Sequence, residues 1–359
     1  MIMKRLEKIR AQFDSLGIDG VLTYKDENRN YLSGFTGDES FALITRDKAF
    51  FITDSRFTEQ AQIEVKEGYE IIEYRPPIAD TIKRLVEDNN IKSLGVEEDR
   101  MTFEDYDTYR NVLEGVNIVK LNYAIEKLRM IKDNEEVEFI AKAAEIADRA
   151  FEHILGFIKP GMTEIEIALE LEFFMKKLGA SALSFPIIAA SGWRSSLPHG
   201  EASEKKVEEG DFLTLDFGCV YKGYCSDMTR TIVIGRASEK QKEIYNIVLE
   251  AQEAALKAVK PGMSCVELDK IARDIITERG YGNRFGHGLG HGVGRAVHEL
   301  PGVNMRSKFV LEPGMVITDE PGIYIPGFGG VRIEDLILVT ENGCRVLSNS
   351  PKNLIELGV

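Results

Sequence analysis

Residues 159–163 read Lys159-Pro160-Gly161-Met162-Thr163, and residues 260–264 read Lys260-Pro261-Gly262-Met263-Ser264. A long helical pattern precedes each copy, and another helical pattern follows it. Each copy also continues as a capping box, in which a hydroxyl and a carboxylate satisfy the free amide groups at a helix start. The paired residues are Thr163 with Glu166 and Ser264 with Glu267. The spacing therefore predicts an internal duplication.

A second pair of similar segments follows the first in the same order along the chain. When Gly210 is aligned with Gly314, Asp216 falls on Glu320. Chance similarity is the alternative for one short match, but two matches in the same order argue against it. Two helices followed by a β-hairpin, repeated once, predict two similar halves packed about a pseudo-twofold axis.

Each predicted hairpin carries two carboxylates. In the first, strand-like residues 212–217 and 228–234 put Asp216 and Asp227 opposite or diagonal to each other, and the sequence leaves their register open. In the second, Glu320 and Glu334 lie symmetrically about Gly327 and should be cross-strand neighbours. Because the duplication brings the hairpins together, it predicts four carboxylates in one place.

Carboxylates gathered on apolar strands repel one another, and burying an unpaired charge is costly. Two divalent cations supply the matching charge, and oxygen ligands with one imidazole suit Mn²⁺, Co²⁺, Fe²⁺ or Zn²⁺. His291, in the glycine-rich segment 287–292, is the natural nitrogen donor, with His298 and His199 in comparable loops. A solvated carboxylate or a structural histidine is the alternative for any one residue, so the prediction depends on the combination.

The first part of the chain has a different pattern. Residues 1 to about 120 alternate between helical and strand-like patterns, and a charged segment near residues 123–133 leads into a long amphipathic helix. We therefore predict an α/β fold (α+β over the whole chain) in two domains, residues 1–125 and 126–359.

Composition narrows the function classes. The chain has 359 residues, 43% of them hydrophobic, and a formal net charge of -14. The acidic balance disfavours nucleic acid or an anionic membrane as the main partner. The first residues become charged before an apolar segment of signal-peptide length develops, and no apolar run reaches bilayer length, so a cytoplasmic location is expected.

Five motifs together resemble the Xaa-Pro peptidases of the "pita-bread" dinuclear metallopeptidase family, which includes aminopeptidase P, prolidase and methionine aminopeptidase. The resemblance implies a creatinase-type α/β domain at residues 1–125. It also implies a pita-bread catalytic domain at residues 126–359, with two pseudo-symmetric halves and an antiparallel sheet. The motifs are Leu215-Asp216-Phe217-Gly218, Ser226-Asp227-Met228-Thr229-Arg230-Thr231, residues 287–294, Asp319-Glu320-Pro321-Gly322-Ile323-Tyr324 and Gly330-Val331-Arg332-Ile333-Glu334-Asp335.

The resemblance also implies roles for individual residues. Two divalent ions per subunit are expected, with Mn²⁺ favoured over Co²⁺, Zn²⁺ or Fe²⁺, and a homodimer acting on proline-containing peptides. Glu320 would accept the proton of the attacking water, and His298 would stabilise the oxyanion. His199, His287 and Arg332 would surround the substrate, and Arg332 would also orient the carboxylates. The implied metal ligands are Asp216, Asp227, His291, Glu320 and Glu334.

The sequence departs from the archaeal type of prolidase at one informative position. There a carboxylate-binding arginine follows the counterpart of His298 by four residues, whereas this chain has Gly302. We therefore expect an aminopeptidase acting on longer Xaa-Pro peptides, with an Xaa-Pro dipeptidase as the alternative, because Arg295 or Arg306 could substitute. Methionine aminopeptidase would not need residues 1–125, and creatine amidinohydrolase lacks the full ligand set. A non-catalytic peptide-binding module is a remote alternative.

Overall fold

The structure is a computed structural model that describes residues 2–65 and 67–358. The chain divides into two compact units, Met1–Arg129 and Met130–Val359. The domain boundary that we predicted near residue 125 lies within the helix Ala124–Met130 and stays a prediction. Among the described residues, none of the helices combines the length and apolar character that a bilayer crossing requires.

The first unit is built around one mixed sheet with the strand order β4-β3-β2-β1-β5-β6. Its strands are β1 Gly20–Thr23, β2 Ser40–Thr45, β3 Ala49–Thr53, β4 Glu70–Glu73, β5 Ser93–Val96 and β6 Asn117–Lys120. Its helices are α1 Ile2–Arg10, α2 Phe13–Leu16, α3 Asp26–Ser33, α4 Thr58–Glu64, α5 Ile78–Asp88, α6 Phe103–Val112 and α7 Ala124–Met130. Successive residues of β1 enter different apolar clusters, Val21 in one and Leu22 in the other, so both faces of the sheet are covered.

The second unit repeats a pair of helices followed by strands. The first half contains α8 Asn134–Phe157, α9 Glu164–Lys177, β7 Ala182–Leu183, β8 Ile188–Ser191, a 3₁₀ helix at Gly192–Ser196, β9 Phe212–Phe217, β10 Cys219–Tyr221, β11 Tyr224–Cys225 and β12 Met228–Ile234. The second half contains α10 Glu239–Ala258, α11 Cys265–Glu278, a 3₁₀ helix at Gly282–Arg284, β13 Gly290–Gly292, β14 Glu299–Val303, β15 Val316–Asp319, β16 Gly322–Ile325, β17 Gly329–Arg332, β18 Asp335–Thr340 and β19 Gly343–Val346, with β20 Glu356–Leu357 after it.

Both halves of this unit build their sheets from antiparallel hairpins. In one sheet the strand order is β20-β12-β9-β8, and in another it is β14-β13-β15-β18-β19. The remaining strands form the ladders β11-β10-β7 and β16-β17. Large apolar clusters pack α8 and α9 on the first half and α10 and α11 on the second, which gives each half its own core.

The duplication predicted from the sequence is confirmed in detail. Each copy begins its helix with a complete capping box, Thr163 for α9 and Ser264 for α11. Each cap residue also forms an isolated antiparallel bridge, to Lys206 before β9 in the first half and to Val310 before β15 in the second. Equivalent residues therefore make equivalent long-range contacts in the two halves.

Candidate metal centre

A cavity of ≈ 340 Å³ in the second unit is lined by all of the sequence-predicted site residues. The predicted residues that line it are His199, Asp216, Asp227, His287, His291, His298, Glu320, Arg332 and Glu334. The remaining lining residues are Phe185, Pro186, Ile188, Pro198, Glu201, Gly288, Gly290 and Asn304. The structure thus brings together residues that span more than a hundred positions of the chain.

The first hairpin places its two aspartates on one face. Asp216 on β9 lies opposite Thr229 on β12, and Asp227 precedes Thr229 by two residues. Because side chains alternate along a strand, Asp216, Thr229 and Asp227 share a face, with the two aspartates diagonal to each other. The register left open by the sequence is therefore the diagonal one.

The second hairpin places its glutamates between two ladders. Asp319 pairs with Asp335 on one side of them, and Gly322 pairs with Arg332 on the other. The backbone amide of Glu334 donates to Thr229 O at 3.1 Å, so the two hairpins are joined at the site. The amide of Glu320 donates to Leu289 O at 2.8 Å, which ties the same hairpin to the loop that carries His291.

His291 lies among the carboxylates. Its Nε2 atom is 3.3 Å from Glu320 Oε1 and 3.6 Å from Asp227 Oδ2. Its Nδ1 atom is 3.1 Å from Gly292 O, which fixes the ring orientation and leaves Nε2 facing the carboxylates. Ligand atoms of Asp227, His291 and Glu334 all lie within 4.8 Å of one another, a spacing that one metal ion can bridge.

Burial and repulsion dominate the electrostatics of these carboxyl groups. Burial raises the pKa of Asp227 well above its ordinary value, and the charges of Glu334 and Asp216 raise it further. Burial and the charge of Glu320 do the same to the pKa of Glu334. Burial also opposes ionisation of Glu320, but its hydrogen bond and ion pair with His291 outweigh that cost and hold its pKa at about 2. Cations bound here would relieve both the burial cost and the repulsion.

Two carboxylate oxygens provide a test of whether a metal fits. Asp216 Oδ1 and Glu334 Oε1 are buried and have no hydrogen-bond partner among residues 2–65 and 67–358. A buried acceptor without a donor is costly, and a cation satisfies it as a ligand. Together with the imidazole of His291, these oxygens form the mixed oxygen and nitrogen donor set that first-row divalent metals take. The residues fit the metal that the sequence predicted.

A guanidinium and a phenol support the site from one side. Arg332 Nη2 donates to Asp216 Oδ2 at 2.6 Å, and its Nη1 donates to the Tyr324 hydroxyl at 2.9 Å. The same hydroxyl lies 2.8 Å from His287 Nε2. This chain of contacts couples the orientation of a carboxylate to that of a histidine that faces the cavity.

Two of the histidines that face the cavity, His287 and His298, have lowered pKa values. The His298 ring lies 4.3 Å from the His291 ring, and burial together with the His291 charge lowers the pKa of His298. Burial lowers the pKa of His287 as well. Near neutral pH both imidazoles therefore offer one donor and one acceptor nitrogen.

Sequence reasoning missed several residues at the site. The Thr229 hydroxyl donates to Glu334 Oε2 at 2.7 Å and accepts from Arg332 Nε at 3.0 Å. The Thr318 hydroxyl donates to Glu320 Oε1 at 3.0 Å. Thr229 lies two residues after Asp227, and Thr318 lies two residues before Glu320. Because side chains two residues apart on an extended chain share a face, this spacing is the signal that could have identified both threonines.

Comparisons with known proteins agree with this geometry. Residues 138–341 match the model of metallopeptidase family M24, and residues 5–131 match the creatinase/prolidase N-terminal domain. The Xaa-Pro dipeptidase of Pyrococcus furiosus is 42% identical over 353 residues, which cover 98% of this chain and 99% of the relative. The structure of the Xaa-Pro dipeptidase from Bacillus anthracis has a TM-score of 0.97 at 51% identity and covers 100% of both chains. The structure of the X-Pro aminopeptidase from Thermotoga maritima has a TM-score of 0.89 at 41% identity, covering 97% of this chain and 100% of that one.

The chain belongs to metallopeptidase family M24. The resemblance stated from the motifs is thereby confirmed, as is the fold, with a creatinase-type domain before a pita-bread domain. The chain is therefore a hydrolase of a metal-dependent family, and its structure carries a candidate site for the metal.

Proposed function

We propose that this chain is an Xaa-Pro dipeptidase, which hydrolyses the bond before proline in dipeptides. The observation that carries the proposal is a buried cluster of carboxylates and one imidazole in a chain that matches Xaa-Pro dipeptidases over nearly its full length. Our sequence argument had favoured an aminopeptidase, with the dipeptidase as the alternative. That argument depended on one position, Gly302, whereas the likeness to named dipeptidases extends over both domains, so the alternative is now preferred.

The proposed roles follow from the contacts around the cavity. Asp216, Asp227, His291, Glu320 and Glu334 would hold two divalent cations, which supply Lewis acidity and lower the pKa of bound water when present. Glu320, which lines the cavity beside His291, accepts the proton of the attacking water and passes it towards the proline nitrogen.

Three histidines act on the substrate. His298 donates a hydrogen bond to the oxyanion that forms at the scissile carbonyl. His199 and His287 hold the substrate on either side of that bond. Arg332 lies beside His287 through the Tyr324 hydroxyl and keeps Asp216 oriented, so it supports binding without entering the proton transfers.

An Xaa-Pro aminopeptidase is the second candidate. It is favoured by the likeness to the Thermotoga maritima X-Pro aminopeptidase and by Gly302, which supplies no side chain to neutralise the carboxylate of a dipeptide. For this candidate, peptides that extend beyond proline would be the better substrates.

Steady-state kinetics separates the candidates. We expect Ala-Pro to have a higher kcat/KM than Ala-Pro-Ala in the presence of added Mn²⁺, with Ala-Ala and Met-Ala as controls that lack the Xaa-Pro bond. A preference for the tripeptide would favour the aminopeptidase. Cleavage of Met-Ala alone would overturn both, and no hydrolysis of any peptide at full metal content would favour a binding module.

The metal and the assembly are proposed on family precedent. We propose Mn²⁺ as the preferred ion, with Co²⁺, Zn²⁺ or Fe²⁺ as alternatives, and a homodimer as the assembly. Elemental analysis of the purified protein and its mass in solution test these two proposals separately. The cytoplasmic location stays a prediction.

A further inference from the structure

Glu164, the first residue of α9, is a fully buried carboxylate outside the metal site. Within the described residues, five hydrogen bonds reach it. Oε1 accepts from the Ser191 amide at 2.7 Å and from the Ser191 hydroxyl at 2.8 Å. Oε2 accepts from Arg194 Nη1 at 2.9 Å, from the Ser203 amide at 3.0 Å and from the Ser203 hydroxyl at 2.6 Å.

These bonds fix the segment that carries His199. Ser191 precedes the 3₁₀ helix Gly192–Ser196 and Ser203 follows the turn that contains His199, so Glu164 joins the two ends of the segment. Arg194 extends the connection inward, because its guanidinium also donates to Glu201 O at 2.9 Å. His199 itself is exposed to the cavity, and its position is set by this backbone.

Comparison with the second half of the duplication shows that the fold itself does not require a carboxylate at this position. Glu164 corresponds to Cys265, because each follows the capping residue of its helix. The amide of each bonds a carbonyl at 3.0 Å, Lys205 O for Glu164 and Phe309 O for Cys265. The second half thus keeps the same backbone frame with a buried thiol in place of a carboxylate. The carboxylate is specific to the half that supplies His199.

We propose that Glu164 is a positioning residue that holds the His199 segment in the geometry needed for substrate binding. The proposal rests on the proposed function, because it assigns Glu164 an effect only through His199. A carboxylate that accepts five donors at once leaves those donors unsatisfied when it is altered, so the segment would shift towards the solvent. Small misplacements of a group that binds substrate reduce turnover strongly.

The test is a double-mutant cycle between Glu164→Gln and His199→Ala on the metal-loaded enzyme with Ala-Pro. We expect Glu164→Gln to lower kcat/KM by roughly tenfold or more in the native background, because a 1 Å displacement of a positioned group can cost about 100-fold. In the His199→Ala background the same change should alter kcat/KM by less than about twofold, since coupled residues are not additive. If Glu164→Gln lowers kcat/KM by the same factor in both backgrounds, the two residues act independently and the proposal is overturned.

Controls isolate the role of the segment. Glu166→Gln makes the same chemical change two residues away on α9, where Gln also completes a capping box, and we expect kcat/KM to stay near that of the unaltered chain. If Glu164→Gln does not fold, Ser203→Ala replaces it in the cycle; it removes the hydroxyl bond to Glu164 and the bond that this hydroxyl accepts from the Lys205 amide, and it keeps the bond from the Ser203 amide to Glu164. If Ser203→Ala then changes kcat/KM by the same factor with and without His199→Ala, the proposal is overturned.

Failure of the proposed function would look different. Absence of Xaa-Pro hydrolysis by the unaltered, metal-loaded enzyme would remove the function and, with it, the role given to Glu164. Normal Xaa-Pro hydrolysis, together with an equal effect of Glu164→Gln in the native and His199→Ala backgrounds, would remove only the role of Glu164.

Discussion

The carboxyl groups of Asp227 and Glu334 are each raised in pKa by burial and by their charged neighbours. At the residue scale, the same two effects make these side chains costly without a cation and effective as ligands with one. Replacing one of these carboxylates by its amide removes a charge that binds the cation, but it also removes repulsion from the neighbouring carboxylates. Metal affinity should therefore fall, whereas the stability of the metal-free fold should be kept or increased.

We predict that Asp227→Asn and Glu334→Gln lose metal and Xaa-Pro activity while the fold survives. The loss of kcat should be at least about 100-fold, because even residues that only support metal ligands have effects approaching that size. Elemental analysis, Ala-Pro hydrolysis and circular dichroism measure the three properties. Glu341→Gln, an exposed glutamate, is the matched control. Activity like that of the unaltered chain in a metal-free preparation of either variant would contradict the proposed dinuclear site.

A second prediction concerns the guanidinium of Arg332. Lysine keeps the positive charge but cannot contact Asp216, Thr229 and Tyr324 together, so Arg332→Lys should lower kcat/KM by about 10–100-fold with metal content retained. Arg345→Lys, an exposed position on β19, should leave kcat/KM unchanged. If Arg332→Lys left kcat/KM as unchanged as Arg345→Lys does, the positive charge at position 332 would suffice and its three hydrogen bonds would not be needed.

At the scale of elements, the site depends on how closely β13 approaches its neighbours. A Cβ atom on Gly290 would collide with Thr318 O of β15, and one on Gly292 would collide with Leu300 O of β14. His291, between these glycines, donates its amide to the Thr318 hydroxyl at 3.0 Å. The glycines therefore allow the strand to bring His291 within reach of Glu320.

We predict that Gly290→Ala weakens metal binding more than it weakens folding. The added methyl group would push β13 away from β15 and move His291 out of ligand range. The measurement is Mn²⁺ affinity by calorimetry beside unfolding in urea. Gly286→Ala is the control, because a Cβ there meets no described heavy atom within 4 Å. Unchanged Mn²⁺ affinity in Gly290→Ala would contradict the role given to this strand.

For the molecule as a whole, the metal site links stability to pH. Asp227 and Glu334 have higher pKa values in the folded state than the ordinary carboxyl values of about 4 expected in the unfolded chain. At these two groups the metal-free folded state therefore binds more protons than the unfolded chain. Their contribution to the free energy of unfolding falls as pH rises from about 4 through the raised values.

We predict that Mn²⁺ raises the unfolding temperature, and that the increase is larger at pH 8 than at pH 5. At high pH the cation relieves repulsion among ionised carboxylates, whereas at low pH it must compete with protons. At 100 times its Kd, the ion should add about 2.7 kcal/mol. Calorimetric scans with a chelator or Mn²⁺, against K⁺ at equal ionic strength, provide the measurement. A larger shift at pH 5 would contradict it.

Much of the fold and of the candidate site could be predicted because its signals are local. The capping residues Thr163 and Ser264 act within one helical turn, and the spacing from Gly210 to Asp216 and from Gly314 to Glu320 covers only one strand and the residues next to it. Glu164 could not be predicted, because its partners Ser191 and Ser203 become neighbours only after the chain folds back.

By itself, the sequence determined that the second part of the chain is duplicated, and it predicted that four carboxylates meet there. Both could be read from the sequence because repetition and strand parity are properties of neighbouring residues. The glycine-rich loop favoured His291 as the nitrogen donor, and the family resemblance selected it. The tertiary structure alone decided the diagonal register of Asp216 and Asp227, the junction of the hairpins through Thr229 and the contacts of Glu164. Those features depend on which distant segments pack together, and packing is decided by the whole core.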